Sequence, residues 1–471
     1  MLPEQFLERM QEMLGEEYPE FLQSFEREHY RALRINTGKV DVEAFLSCSP
    51  FELRAVPWTK NGFYYKEEEQ PGKHPFHEAG VYYIQEPSAM APVPFLEVVP
   101  GERVLDLCAA PGGKTTQIAD ALKGQGLLVS NEIHPARARI LSENVERMGV
   151  SNCMVTNETP ARLSGVFPGY FDKVLVDAPC SGEGMFRKNE EACEEWSPEN
   201  VELCAGRQDE VLDCAAVMLS PGGRMVYSTC TFAPKENEGS ISRFLERHPE
   251  FHIVQVSMPD GFEPGKGKWA ENAHKDIEKT MRLMPHKVQG EGHYVAVLEK
   301  EGAKGSHSSS RGGLEKGISQ KEYKEFSDFA GEFLNIEEPE GTYIRYGEQL
   351  YVAPAEIPAL KGLKVLRPGL HLGTMKKGRF EPSHALALAL GKEQVKQYLD
   401  LAPDGLEVRQ FLTGQTLVPG ENVVMKNGGN DEIIKEGKGW CLVCVEGFSL
   451  GWGKMAGNII KNHYPKGLRK G

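Results

Sequence analysis

Between Pro100 and Lys300 the chain alternates short apolar, β-branched runs with longer stretches of three-to-four-residue periodicity. The runs Val104–Leu107, Leu127–Asn131, Met154–Thr156, Lys173–Asp177, Met225–Ser228 and Tyr294–Leu298 predict strands. Pro135–Met148, with proline in its first turn, and Glu199–Leu219, ended by Ser220-Pro-Gly-Gly223, predict helices. Such alternation predicts an α/β region with a largely parallel sheet covered on both faces. Upstream, Leu2 to about Arg31 shows helical periodicity with many carboxylates and predicts one or two surface helices, and a mixed stretch follows to about Phe95. Downstream, Glu301 to Gly313 is rich in Gly and Ser and predicts a flexible linker. Lys321 to about Leu399 predicts short strands and a helix near His384–Leu390. From Gly405 onward, short strands with Gly turns suit a small β-barrel. The expected organisation is residues 1–95, an accessory α+β region; 96–300, the α/β core; 301–318, linker; 319–400, a small middle domain; and 401–471, a β-rich domain.

A length of 471 residues agrees with several domains. The chain shows neither a membrane-length apolar run nor a basic-then-apolar leader, and ten cysteines in so long a sequence do not make a disulfide scaffold. A reducing cytoplasm, without membrane attachment, is therefore expected. Cys441-Leu-Val-Cys444 sits in a strand-like run without nearby ligands and is expected to be core; no metal is implied. A net charge of −14 argues against nucleic acid only if charge is evenly spread. It is not: after Gly451 the charged residues are Lys454, Lys461, Lys466, Arg469 and Lys470, with no Asp or Glu. Trp452 and Tyr464 interleave with them, which predicts an RNA-contacting surface.

The candidate chemistry lies at strand ends. The strand Val104–Leu107 runs into Cys108-Ala109-Ala110-Pro111-Gly112-Gly113-Lys114 and then a helical pattern. Glycines there let backbone approach a ligand, and the helix N-terminus favours negative charge. It is not a P-loop, because the leading glycine of that motif would fall on Cys108. The next strand ends in Glu132, placed to bridge ribose hydroxyls of a nucleotide-like cofactor. Cys180, after Asp177-Ala-Pro179, and Cys230, after Ser228-Thr229, each follow a strand. Neighbouring strands are about 4.8 Å apart, so thiols at adjacent ends face one small substrate. A free cysteine is more often inert core; two at such positions beside a cofactor turn favour chemistry.

These motifs, Cys108–Lys114, Asp177-Ala-Pro-Cys-Ser-Gly182 and Ser228-Thr-Cys-Thr231, resemble those of the NOL/NOP/Sun-type RNA 5-methylcytosine methyltransferases. Arg34-Ile-Asn36 and Pro285–His293 resemble flanking motifs of the group, and Phe411-Leu-Thr-Gly-Gln with the Gly451–Arg469 tail resembles its RsmF-like bacterial branch, which modifies small-subunit (16S) ribosomal RNA. The resemblance implies a Rossmann-like S-adenosylmethionine-dependent core, an N-terminal accessory region and a C-terminal PUA-like RNA-binding domain. Cytosine C5 is a weak nucleophile until a thiolate adds at C6, so the reaction needs a nucleophile, an acid at N3 and a base. By resemblance Cys230 attacks and Cys180 aids elimination; the arrangement of the DNA enzymes, in which the Pro-Cys residue attacks, would make Cys180 the nucleophile. Asp177 is the expected N3 partner, Lys114 orients the loop or Asp177, and Lys188 is either an RNA-phosphate contact or a solvated lysine. S-adenosylmethionine is expected at Cys108, Ala109, Ala110, Pro111, Gly112, Gly113, Lys114, Glu132 and Asp177. Where the family usually has an acidic residue near the adenine, this chain has Thr159, with Glu158 or Asn157 as substitutes. The implied partner is ribosomal RNA within a small-subunit particle, bound by a monomer, with the target base unpaired or flipped out. A core cut at the linker is expected to keep cofactor binding. The alternatives are a catalytically silent RNA-binding or assembly factor, a transfer RNA cytidine methyltransferase and, least compatible with two cysteines and a basic tail, a small-molecule methyltransferase.

Overall fold

The computed structural model describes residues 2–418, 425–427, 430–432 and 437–470; the remainder of the stretch predicted as short strands after Gly405 lies outside the described residues. The core sheet contains β1 (Arg103–Asp106), β2 (Leu127–Asn131), β3 (Cys153–Thr156), β4 (Phe171–Asp177), β5 (Leu219–Thr229), β6 (His293–Lys300) and β7 (Val365–Arg367). Their order is β6-β5-β4-β1-β2-β3-β7, with β1 to β5 parallel and the two outer strands antiparallel. Helices α1 (Gly113–Leu122), α2 (Pro135–Arg147), α3 (Pro160–Val166) and α4 (Pro198–Met218) cover it. Every predicted core strand is present, within a residue or two for most. The exception is β5, which begins at Leu219 and runs through the Ser220-Pro-Gly-Gly segment expected to be only a helix stop. Gly223 permits this, because a Cβ there would lie 2.9 Å from the Asp172 carbonyl oxygen on the adjacent strand. The strand order reverses between β1 and β4, and a crevice opens beyond the carboxyl ends at such a switch point.

The appended regions are tied to this core. Glu4–Leu14 and Tyr18–Ser24 are helices as predicted, but they are not merely surface ornaments: Phe6, Met10 and Phe21 are fully buried against Phe186, Trp196, Phe232 and Met284. A four-stranded antiparallel sheet follows, centred on Gly62–Tyr64 and Ala32–Ile35. From it, buried Arg34 donates to the Gly113 carbonyl (3.1 Å) and Thr116 (2.7 Å), and Asn36 donates to the Met148 carbonyl (2.9 Å). The Arg34–Asn36 motif thus fixes the start of α1 and the end of α2. The Gly/Ser-rich segment is exposed but stitched to the core, Ser308 N–H donating to Gly169 and Arg311 N–H to Val166, each at 2.9 Å. The middle region builds a four-stranded sheet from Thr342 to Pro382, yet β7 leaves it to pair with β3. That pairing covers an edge of the core sheet, and Arg367 makes an ion pair with Glu146 of α2.

The C-terminal sheet joins Tyr398–Leu401, Gly437–Val445, Phe448–Gly457 and Ile459–Asn462. Its Phe411, Val443 and Tyr464 share a core with Phe45, Phe76 and Tyr82. Here the aromatic part of the tail expectation fails. Trp452 and Tyr464 are buried, Trp452 Nε1 donating to the Ser383 carbonyl (2.9 Å) and Tyr464 OH to Glu78 (3.2 Å). Large aromatic rings turned inward bury more apolar area than any other side chain, and the polar tip needs one partner. Cys441 and Cys444 are core, as expected. No helix among the described residues is long and apolar enough to cross a membrane.

Candidate active site

A cleft of about 750 Å³ opens at the carboxyl ends of β1 to β5 and is lined by Cys108, Glu132, Thr159, Asp177, Cys180 and Cys230. Five turns that are distant in sequence are thereby brought to one space. On one side is the loop 108–114. Gly112 sits at φ +117°, and a Cβ there would press on Leu141 at 3.2 Å, so only glycine suits the turn. Three bonds fix the loop from behind: Ala109 N–H to the Asn131 carbonyl (2.8 Å), Arg137 to the Ala110 carbonyl (2.8 Å) and Asn144 to the Pro111 carbonyl (2.9 Å). Glu132 closes that side. It is 3% exposed, with Oε1 accepting from His134 N–H (2.8 Å) and Oε2 left 3.7 Å from Arg137.

Of the three candidates around the adenine position, Thr159 lies in the cleft and caps α3 through Arg162 N–H (3.2 Å). The other two are already occupied. Glu158 accepts from Lys364 N–H (2.8 Å), beside β7, and Asn157 donates to the carbonyls of Glu132 (2.7 Å) and Ile133 (2.9 Å). Asn157 therefore steadies Glu132, and Glu158 anchors the added strand.

On the other side stand the thiols. Cys180 Sγ and Cys230 Sγ are 3.3 Å apart, both unoxidised. The hydrogen bond with Cys230, then burial, pushes the Cys180 thiol well above its ordinary range. Asp177 lies between Lys114 Nζ (2.8 Å from Oδ2) and Ser228 Oγ, which donates to Oδ1 (2.7 Å). Burial opposes its ionisation, but Lys114 and then His293 outweigh burial and hold the carboxyl below its usual value. Asp177 is thus an ionised group joined to a cation in the free protein, rather than a standing acid. Of the two positions expected for Lys114, its Nζ is at Asp177.

Sequence reasoning missed three buried acids around this centre. Asp106, at the end of β1, is pushed up to about 7 by burial despite the bond donated by Thr115 (2.6 Å). Glu236 is likewise pushed up to about 7 by burial, and Glu183 is wholly buried. Lys188 is partly exposed and 3.8 Å from Glu291, which Arg187 also faces at 3.3 Å. In the tail, Lys454, Lys461 and Lys466 are exposed, Lys454 lying 5.1 Å from the Trp440 ring. Arg469 turns inward to the Tyr464 carbonyl (3.2 Å), and Lys470 pairs with Glu78 (2.9 Å).

Four family profiles match the chain. Residues 2–87 match the N-terminal domain of 16S rRNA methyltransferase RsmF, and residues 93–299 match 16S rRNA methyltransferase RsmB/F. Residues 328–390 match the first C-terminal domain of the RsmF rRNA methyltransferase, and residues 398–470 match the methyltransferase RsmF PUA domain. A relative from Vibrio campbellii, named ribosomal RNA small subunit methyltransferase F, is 33% identical over 99% of this chain and 97% of its own length. Among solved structures, a methyltransferase homolog protein from Pyrococcus horikoshii covers 63% of this chain and 95% of its own, at 29% identity and a TM-score of 0.56. NSun6 from Pyrococcus horikoshii, solved with SFG, covers 64% and 99%, at 21% identity and a TM-score of 0.54, and shares the fold.

Proposed function

The chain belongs to the RsmF family of 16S rRNA methyltransferases, and from that premise we propose that it methylates C5 of a cytidine in small-subunit ribosomal RNA through a covalent Cys230–C6 adduct. It is an S-adenosylmethionine-dependent RNA methyltransferase. The observation that carries the covalent reading is the pair of thiols 3.3 Å apart beside an ionised Asp177, in the cleft that also holds Glu132.

The cleft suits the cofactor: a glycine turn without Cβ atoms, two alanines, and a buried carboxylate with one oxygen free of hydrogen bonds at the tip of β2. Glu132 would take the ribose hydroxyls, while Cys108–Lys114 would face the rest of the molecule with backbone. When bound, S-adenosylmethionine supplies an electrophilic methyl group. The chain's own residues do the remainder. Cys230 adds to C6 as a thiolate, and Lys114 with Asp177, one proton-carrying pair, meets the charge that develops at N3. Once C5 carries the methyl, a base takes the C5 proton, the C5–C6 double bond re-forms as Cys230 leaves as a thiolate, and N3 returns its proton to the Lys114–Asp177 pair. Cys180 stands beside the sulfur that must depart. Attack is assigned to Cys230 because the Ser228-Thr-Cys-Thr231 motif accompanies the RNA enzymes. The target base must be out of its stack to reach these groups.

Exposed Lys454, Lys461 and Lys466 position RNA without entering the chemistry. The protein acts in the cytoplasm as a monomer, on a small-subunit particle. The test is mass mapping of 16S rRNA from cells with the wild-type protein and with Cys230→Ala. Loss of one or more 5-methylcytidines in the variant supports the reading; an unchanged methylation map refutes it.

A further inference from the structure

We propose that Glu183 and Glu236 are positioning residues that hold the two thiols in register, each carboxylate reaching from the loop of one cysteine to the loop of the other. This rests on the reading of Cys180 and Cys230 as the reacting pair. Glu183 follows Cys180 by three residues, and its Oε2 accepts from Phe232 N–H (3.1 Å), two residues after Cys230. Glu236 follows Cys230 by six, and its Oε2 accepts from Ser181 N–H (3.0 Å), next to Cys180, while Oε1 takes the Ser181 hydroxyl. The straps are reciprocal. Between them Ser181 Oγ and Thr231 Oγ1 meet at 2.8 Å, and Gly184 N–H donates to the Cys230 carbonyl (2.8 Å). A Cβ on Gly184 would stand 2.9 Å from that carbonyl oxygen, so the residue type itself allows the loops to close.

Both carboxylates are braced from outside the loops. Gln208 Nε2 of α4 donates to Glu236 at 2.8 Å. Glu183 accepts from Trp196 Nε1 (2.9 Å) and forms an ion pair with Arg9 (2.6 Å), which stands on the N-terminal helix 174 residues away. The N-terminal helix thus completes the scaffold of the cysteine loops. Burying two carboxylates is unfavourable unless their bonds are made, and here each spans the gap that sets the thiol separation. A displacement of about 1 Å at a reacting atom lowers a rate by about a hundredfold, which is the scale such straps control.

The test uses the full chain and phenylarsine oxide, which captures two neighbouring thiols with loss of water. Capture at this site is defined by its disappearance in both Cys180→Ala and Cys230→Ala. For Glu236→Ala, arsenical affinity is expected to fall at least tenfold and single-turnover methyl transfer about a hundredfold, with cofactor affinity within twofold of wild type. Glu236→Gln, which keeps an oxygen for Ser181 N–H, is expected to recover most of both losses. Wild-type capture and turnover in Glu236→Ala would overturn the proposal. Should that variant not fold, Arg9→Met, which leaves Glu183 its other two bonds, is expected to lose capture about threefold, and unchanged capture overturns the proposal equally. Methyl transfer by Cys230→Ala would instead remove the underlying reading of the pair, whatever Glu236 does.

Discussion

Replacing Lys114 with methionine would strip the single cation bonded to Asp177 from the wall of the cleft. The two are 2.8 Å apart, with side chains 10% and 30% exposed. Breaking a fully buried pair by removing one partner costs about 3–5 kcal/mol. The open edge of Asp177 faces the cleft, where water screens it, so the loss at neutral pH should lie nearer 2–3 kcal/mol. On a cooperative unit of about 150–250 residues that is about 4–12 °C in Tm. The pH dependence identifies the cause. In the wild type Asp177 titrates below its unfolded value of 3.8, so its stabilisation is present above that pH and is lost as pH falls through the lowered value. Without Lys114 the influence of burial, the largest one, prevails and the sign reverses. The folded form then disfavours a charge that the unfolded chain carries above about pH 4, and the penalty is relieved on acidification. Thermal unfolding of wild type, Lys114→Met and Lys114→Met/Asp177→Asn from pH 5 to 8 reads this directly. The single variant should show its largest deficit at pH 8 and its smallest at pH 5, and the double variant should regain most of the loss. A deficit independent of pH, or a double variant no better than the single one, would refute the argument.

Cofactor affinity should fall by about 2 kcal/mol, roughly thirtyfold, in Glu132→Ala, because a charge-assisted bond pair to the ribose is lost; calorimetry checks it, and unchanged affinity removes Glu132 from the site. Cys230→Ala should form no RNA adduct and transfer no methyl, whereas Cys180→Ala should methylate and then stall with RNA attached, visible as a slow band on a denaturing gel; the opposite pattern makes Cys180 the nucleophile. Glu236, pushed up to about 7 by burial, contributes a stability that is lost as pH rises from about 4.5 towards 7, so Glu236→Gln should reduce the fall of Tm with pH over that range, leaving a comparable slope from Asp106. Cutting the chain at Gly313 should lower Tm and weaken cofactor binding, because the cut removes β7 and frees Asn157 and Glu158 beside Glu132; a stable core with wild-type cofactor affinity would show β7 to be dispensable.

That last expectation reverses what the sequence suggested, and the reason is physical. Val365-Leu-Arg367 gives no local sign of leaving its own sheet, since an edge strand is recruited by a partner far away in the chain. The core strands were legible because a strand buried on both faces must be apolar throughout, and the turn 108–114 because its backbone demands small residues. Arg34 and Asn36 were legible as a motif, but their bonds to Gly113 and Met148 are long-range and were not. Trp452 and Tyr464 misled for a different reason. Trp452 and Lys454, two residues apart, share one face of their strand, and what packs over each position decides its fate: Trp452 is buried and bonded to the Ser383 carbonyl, Lys454 is exposed beside the Trp440 ring, and Tyr464 lies beyond the last strand. The buried acids were invisible because what buries them, Arg9 and Phe232 around Glu183 and Ser181 and Gln208 around Glu236, is distant in sequence.

Those acids also explain how a chain of net charge −14 can present its reaction centre to a polyanion. Asp177 is matched by Lys114, Glu183 by Arg9, and Glu291 lies within 3.8 Å of both Arg187 and Lys188. Asp106 and Glu236 are raised to about 7, so burial itself removes much of their charge near neutral pH. These carboxylates are thus each matched by a cation or held partly protonated. Exposed negative charge lies on outer segments such as Glu190–Glu191, and charges separated by more than about 8 Å are largely screened at physiological salt. Whole-chain charge was therefore the wrong quantity for judging whether RNA can enter. What decides it is the balance within a Debye length of the cleft, where paired carboxylates and partly neutral acids leave less charge to repel a phosphate backbone.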